Sequence, residues 1–275
     1  MTQQTHNKPK RDQFVVAYLA DLSATETVMG YARHMAAALN KGLIALYIAD
    51  PAQKSLSADE AEPELKRLGL PYVVLSGNTR KVVSGLPELL GAVLMVASVD
   101  PAAPRHSALN PRTLLASFAE CKTAFLTVQR PMADGEALHR VALSVDFRRE
   151  SKEKLLWASY FSRFNGSAID VCYRDYRDEG LRQKWYNNML FLNKFFANLG
   201  LTFTPRVVAG RGPKVDLDLI DQYRPDLLIS LTTDVRERDL VDLVAGVQEL
   251  RVIRNSAQTP VLFLNPRDDL YVLCD

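Results

Sequence analysis

Arg140-Val-Ala-Leu-Ser-Val-Asp146 is a short apolar strand that ends on an aspartate, and Phe14-Val-Val-Ala-Tyr-Leu-Ala-Asp21 reads the same way roughly 125 residues earlier. Each opening leads into a helix-like stretch with an aromatic-alanine pair, Tyr31-Ala32 and Trp157-Ala158. Each stretch ends at a glycine, Gly42 or Gly166, and a second apolar strand follows, Leu43 to Ile48 and Ala168 to Tyr173. The closing segments match as well. Ala92-Val-Leu-Met-Val-Ala-Ser98 resembles Asp226-Leu-Leu-Ile-Ser-Leu-Thr232, and Thr123-Ala-Phe-Leu-Thr-Val128 resembles Thr259-Pro-Val-Leu-Phe-Leu264. Element order and spacing therefore repeat through most of the chain, and the sequence reads as a duplicated domain.

Composition agrees with two ordinary globular units. The 275 residues suffice for two domains of roughly 100–150 residues, each able to bury a core. A hydrophobic content of 47% excludes extensive disorder, and a net charge of +2 predicts no general attraction to nucleic acid or membrane. No apolar run approaches the ~18 residues that a membrane span needs. Residues 1–12 are polar, lack the apolar core of a secretory signal and are expected to form a disordered tail. Cys121, Cys172 and Cys274 are odd in number and widely spaced, which fits a reducing cytoplasm.

In the first half the pattern predicts strands at 14–19, 43–49, 72–75, 93–97 and 124–128, with helices near 25–40, 58–68, 81–90 and 112–119. The second half predicts strands at 141–145, 168–173, 202–208, 227–231 and 261–264, and helices at 152–164, 180–199, 215–223 and 240–255. Continuous apolar strands alternating with amphipathic helices call for a parallel sheet covered on both faces. Right-handed crossovers then give an α/β fold of two tandem doubly wound five-stranded parallel-sheet sandwiches. The expected units are 13–131 and 139–275. Residues 132–138 are the expected linker, within a segment that carries Pro131, Gly135 and several charges. Leu181, Trp185, Met189, Leu192, Phe196 and Leu199 recur at three- and four-residue steps and mark a helix face packed on the sheet.

These residues resemble the universal stress protein family in its tandem form, over roughly 13–131 and 139–267. The resemblance rests on Val145-Asp146 after the first strand of the second half, Ala209-Gly-Arg-Gly-Pro213 after the third, and Arg224-Pro-Asp-Leu-Leu-Ile-Ser230 entering the fourth. Val252-Ile-Arg-Asn-Ser-Ala-Gln-Thr-Pro-Val-Leu-Phe-Leu264 resembles the family's last helix, proline and closing strand. The resemblance implies adenine-nucleotide α-hydrolase-like sandwiches, with the fifth strands at or near the contact of an intramolecular pseudo-dimer. Nucleotide-binding members carry two glycines three apart, about nine residues, then glycine with serine or threonine; such glycines let backbone N–H groups approach phosphate. Here Thr232-Thr-Asp-Val-Arg-Glu-Arg-Asp-Leu-Val-Asp-Leu-Val-Ala-Gly-Val247 keeps only Gly246, with Val247 in the hydroxyl position. In the first half, Val99-Asp-Pro-Ala-Ala-Pro-Arg-His-Ser107 has two prolines and no glycine. No cofactor is therefore expected, and ATP or another adenine nucleotide should bind weakly or not at all.

Ligands of open α/β sheets bind beyond the carboxyl ends of the strands. In the second half that rim should collect Asp146, Arg148, Gly210, Arg211, Gly212, Lys214, Thr232 and Thr233, with Gly246 beyond them. The resemblance gives Asp146 the place of the aspartate on the adenine side of a nucleotide, and Arg211 and Lys214 could hold an anion. The bland alternatives are that Asp146 caps the following helix and that Gly210-Arg-Gly-Pro213 is a plain turn. The first-half counterpart is Asp21, Ser76, Gly77, Asn78 and Ser98. The charges Arg148, Arg149, Glu150, Lys152, Glu153 and Lys154 read as a solvated helix start. None of His6, His34, His106 and His139 stands in a nucleophile setting. Three readings result. The leading one is a cytoplasmic, non-enzymatic stress-response protein that binds a protein partner or small anionic ligand, as a pseudo-dimer or homodimer, without nucleic acid. The second is a weak ATPase with a diverged second-half site. The third is an enzyme of another kind on the same fold.

Overall fold

The computed structural model describes residues 13–53, 55–148, 150–208, 214–233, 248–256 and 259–266. The expected polar tail, the turn holding Gly210, Arg211 and Gly212, the loop holding Gly246, and Cys274 lie outside the described residues.

The first half forms β1 (Phe14–Tyr18), α1 (Thr25–Leu39), β2 (Gly42–Ala49), α2 (Ala58–Arg67), β3 (Tyr72–Ser76), α3 (Thr79–Leu89), β4 (Ala92–Ser98), α4 (Pro111–Phe118) and β5 (Ala124–Val128). The second forms β6 (Arg140–Ser144), α5 (Ser151–Asn165), β7 (Ala168–Tyr173), α6 (Glu179–Asn198), β8 (Thr204–Val207), α7 (Lys214–Tyr223), β9 (Leu227–Leu231), α8 (Gln248–Asn255) and β10 (Val261–Leu264). The ten strands make one sheet in the order β3-β2-β1-β4-β5-β10-β9-β6-β7-β8. Within each half the pairing is parallel, as continuous apolar strands joined by helices require. The halves meet where β5 pairs antiparallel with β10, Phe125 opposite Phe263 and Thr127 opposite Val261.

The pleat of each strand feeds two cores at once. Val15, Ala17 and Leu19 face the side covered by α1, α2, α5 and α6, through Met29, Leu65, Leu155 and Leu192. Val16, Tyr18 and Ala20 face the side covered by α3, α4, α7 and α8, through Val83, Leu114, Leu219 and Ile253. Both layers run unbroken across the seam, where the Phe118, Phe125 and Phe263 rings follow one another at 4.9 and 5.5 Å. Polar groups lock the same seam. Thr127 Oγ1 donates to the Val261 carbonyl, Gln129 Nε2 to that of Ile253, and Asn265 Nδ2 to those of Phe118 and Cys121.

The apolar stripe of α6 sits as its spacing predicts: Leu192 and Phe196 are buried, with Trp185 and Met189 packed against the same core. The solvated helix start does not hold throughout. Lys154 is only 1% exposed, because its place one turn before Ala158 puts it on the inner face of α5.

Candidate functional site

The carboxyl ends of β6 and β7 and the first turns of α7 and α8 enclose a cleft of about 260 Å³, lined by Asp146, Phe147, Arg148, Tyr176, Asp216 and Gln248 among others. Asp146 stands two residues past the end of β6 and is closed in by its own loop. Its Oδ1 accepts from the Arg148 backbone N–H at 2.9 Å and from Ser151 Oγ at 2.5 Å, while Oδ2 accepts from Arg148 Nε at 2.7 Å. Asn188 of α6 fastens this loop from outside, donating Nδ2 to the carbonyls of Asp146 and Arg148, both at 2.8 Å. Asp146 thus organises the turn before α5, and the cap position itself falls to Glu150, whose side chain makes no capping bond.

Beneath this loop a buried polar chain runs from helix to sheet to helix. Lys154 Nζ donates to Ser144 Oγ at 3.2 Å, and Ser144 Oγ donates to Asp216 Oδ1 at 2.8 Å. The other Asp216 oxygen accepts from Ser230 Oγ at 2.6 Å. Burial pushes the Lys154 ammonium below the usual lysine range, against the attraction of Asp146 and Asp216. Burial opposes the charge on Asp146 too, but Lys154 and Arg148 attract it and Ser151 and the Arg148 N–H bond to it. The net effect holds its carboxyl below the usual range. For Arg148 burial is again the largest influence, outweighed by Asp146, so the guanidinium stays firmly charged. On the open side of the cleft Phe147 and Tyr176 meet edge to face at 5.7 Å, and Arg174 lies 4.5 Å over the Tyr176 ring.

Asp146 and Arg148 are therefore brought together, but toward each other rather than into open space. Lys214 begins α7, whose next two residues line the cleft. Thr232 and Thr233 are placed elsewhere, at the seam. Thr232 Oγ1 donates to Asn265 Oδ1 at 2.6 Å, and the Thr233 N–H donates to the Glu249 carboxylate. Both threonines line a gap of about 10 Å³, too small for a ligand. Lys154, Asn188 and Asp216 were missed from sequence. Lys154 and Asn188 each lie one turn before a buried apolar residue, Ala158 and Leu192, which is a legible signal of an inward side chain. In the first half, Asp21 accepts from the Ser23 N–H and Asn78 from the Lys81 N–H, both as helix caps. Among the described residues no group of three His, Cys, Asp or Glu side chains could hold a metal ion. Among the same residues no helix is long and apolar enough to cross a membrane.

No family model matches the chain, and no curated protein matches it. Solved structures do. A universal stress protein from Archaeoglobus fulgidus superposes with a TM-score of 0.65 at 12% identity, over 94% of this chain and 98% of that one. A candidate universal stress protein from Pseudomonas aeruginosa gives 0.60 at 13% identity, over 94% of each chain. A functionally unknown protein from the same species gives 0.58 at 14% identity, again over 94% of both. At such identities the likeness concerns the backbone. It shows that this chain has the universal stress protein fold, a mostly parallel α/β sheet of the adenine-nucleotide α-hydrolase-like type.

Proposed function

We propose that the chain is a non-enzymatic stress-response protein that acts by binding a small anion or a protein partner, and that it does not work as an adenine-nucleotide hydrolase. The observation that carries this reading is the engagement of Asp146 within its own loop. Ser151, the Arg148 amide and the Arg148 guanidinium engage both of its oxygens, so an adenine reaching Asp146 would compete with an internal ion pair. The cleft volume of about 260 Å³ also falls short of the ~300–1,000 Å³ usual for ligand sites. Arg174, the cleft arginine that is not paired with Asp146, favours a small anion over a large nucleotide. The stress-response part of the reading is drawn from the fold likeness to universal stress proteins. Two buried free thiols, Cys121 and Cys172, suit a reducing cytoplasm.

Calorimetry of the purified chain with ATP and magnesium tests the reading. We expect no saturable binding at micromolar ATP, and mass spectrometry of molecules released from native protein should reveal no nucleotide. Micromolar ATP affinity that disappears in Asp146→Ala would overturn the proposal and establish the nucleotide-binding alternative. A ligand found in native protein should lose affinity in Arg174→Ala, which removes a charge-assisted donor while leaving the Asp146 loop intact.

A further inference from the structure

A cleft of about 510 Å³ opens between the halves, where α5 faces the end of α1 and the starts of β4 and β5. It shares no lining residue with the Asp146 cleft. One wall is a second apolar stripe on α5. Leu155, Ala158 and Phe161 of that helix are buried against the sheet. Trp157, Tyr160 and Phe164 recur at three- and four-residue steps on another side of it and line the cleft. Their rings form a chain, Trp157 to Tyr160 edge to face at 5.8 Å and Tyr160 to Phe164 at 6.0 Å. Trp157 still packs against the core layer, but Tyr160 and Phe164 do not belong to it, and Phe164 is 50% exposed. Packing on the sheet therefore does not account for the stripe.

Four charged side chains reach the same space, Lys41, Lys122, Glu88 and Glu153. Lys122 stands 3.9 Å from Glu88. Glu153 lies in the first turn of α5, where the positive end of the helix dipole favours its charge. Lys41 differs from these. Its Nζ donates to a neutral partner, Gln13 Oε1, at 2.6 Å, and among the described residues it has no ion pair. Leu39 and Val93 add apolar surface beside it. A wall of rings with one ammonium held only by an amide is the complement of a flat apolar molecule that carries one negative charge. The volume lies within the ~300–1,000 Å³ usual for small-molecule sites, which favour junctions between domains.

We propose that this cleft binds a small aromatic carboxylic acid, its ring against Trp157, Tyr160 and Phe164 and its carboxylate on Lys41. The ring wall favours a flat aromatic ligand over an alkyl chain, because ring pairs gain stacking and edge contacts beyond their buried area. At Lys41 the carboxylate replaces the Gln13 amide with a charged acceptor, which makes a shorter and stronger bond. A lone ammonium suits one carboxylate, whereas the planar forks that match phosphate in pairs belong to arginine, and no arginine lines this cleft. The Asp146 loop takes no part, so the site is separate from the one proposed for the second half.

Calorimetric titration of the full chain with 2-naphthoate, its neutral amide 2-naphthamide, and octanoate tests this inference. Naphthoate should bind saturably, about tenfold tighter than the amide, the difference expected for one charge-assisted contact. It should also bind more tightly than octanoate. Lys41→Gln should bring naphthoate down to the affinity of the amide and leave the amide unchanged, which general damage to the fold would not do. Phe164→Ser should weaken naphthoate and amide alike, by about threefold, the loss of one ring contact. Phe164 is half exposed, so the melting temperature of that variant should match the parent's. Arg182→Ala, an exposed arginine on α6, should leave every affinity unchanged. No saturable binding at millimolar naphthoate overturns the inference. Octanoate binding as tightly as naphthoate does so too, as does an equal loss for acid and amide in Lys41→Gln. The ATP titration reads the other cleft, so either proposal can fail without the other.

Discussion

Lys154 brings a charge into the core, and the reason it is tolerated lies in the two carboxylates that face it. Desolvation alone would expel the ammonium; Asp146 and Asp216 compensate, and Ser144 bonds it. Removing Lys154 leaves two carboxylates with Arg148 as their remaining cation, and breaking a buried charge group costs about 3–5 kcal/mol. Lys154→Met should therefore destabilise the chain by about that amount at pH 7. The sign of its pH dependence follows from Asp146. The folded-state pKa of Asp146 is depressed, so its contribution to stability is present above the unfolded value and is lost as pH falls through the folded one. Without Lys154 the largest influence opposing burial at Asp146 is gone, so its pKa rises and protonation relieves the strain earlier. The stability gap between parent and variant should narrow as pH falls from 7 toward about 4, the ordinary carboxylate range. Denaturant titrations at both pH values check this, and an unchanged gap would refute the electrostatic account. The thiols give a second expectation at this scale. Burial pushes Cys121 up to about 11 and Cys172 up to about 12. Since the thiolate is the reacting species, iodoacetamide at neutral pH should alkylate neither in the native chain. Peptide mass spectrometry showing rapid labelling of either would contradict the buried placement.

Two glycines, chemically identical, should respond oppositely to alanine because their elements use them differently. Gly166 ends α5 with φ of 69°, a left-handed conformation that L side chains resist. Gly166→Ala should cost about 1–2 kcal/mol. Gly85 lies inside α3 with nothing near the position of an added Cβ and no positive φ, so Gly85→Ala should stabilise by about 0.5–1 kcal/mol. Thermal melts of the two variants on either side of the parent would confirm the contrast, and shifts of the same sign would refute it. Elements were the most legible part of this sequence. Strand 227–231 coincides with β9 because a strand buried on both faces is a nearly continuous apolar run, and 168–173 coincides with β7 although Asp170, paired with Arg140 and Arg206, interrupts its apolar residues. The site was less legible for a physical reason. Asp146 could be found from its place just past a strand, but its engagement within the loop depends on where the Arg148 side chain turns. Asp216 was invisible because it lies on α7 and its partners, Ser144 and Ser230, come from two strands, β6 and β9. Thr232 and Thr233 looked like rim residues from their place after β9, yet the neighbouring β10 brings Asn265 and draws Thr232 into the seam.

At the scale of the whole molecule the joint between the halves is part of the sheet itself. A loose pair of domains would meet through a modest, polar surface, and their relative motion would be the default. Here β5 and β10 share ladder hydrogen bonds, both hydrophobic layers cross the joint, and Asn265 fixes the carbonyls of Phe118 and Cys121 from the opposite half. The segment after β5 is held as well, since Arg130 forks onto both Glu136 oxygens at 2.6 and 2.8 Å. Unfolding one half would expose Phe125 or Phe263, and an edge strand with it. The two halves should therefore tumble with one correlation time and melt in one cooperative transition. Phe263→Ala should lower the stability of both halves together by about 3–5 kcal/mol, the usual loss for a buried phenylalanine. Asn265→Ala, which takes the cross-seam donor from the Cys121 and Phe118 carbonyls while Phe118 keeps the Cys121 N–H, should lower it by about 1 kcal/mol. Calorimetry with hydrogen exchange read separately in each half checks the coupling. If Phe263→Ala splits the melt in two, with first-half amides keeping their protection, the halves are independent domains and the continuous sheet does not unite them energetically.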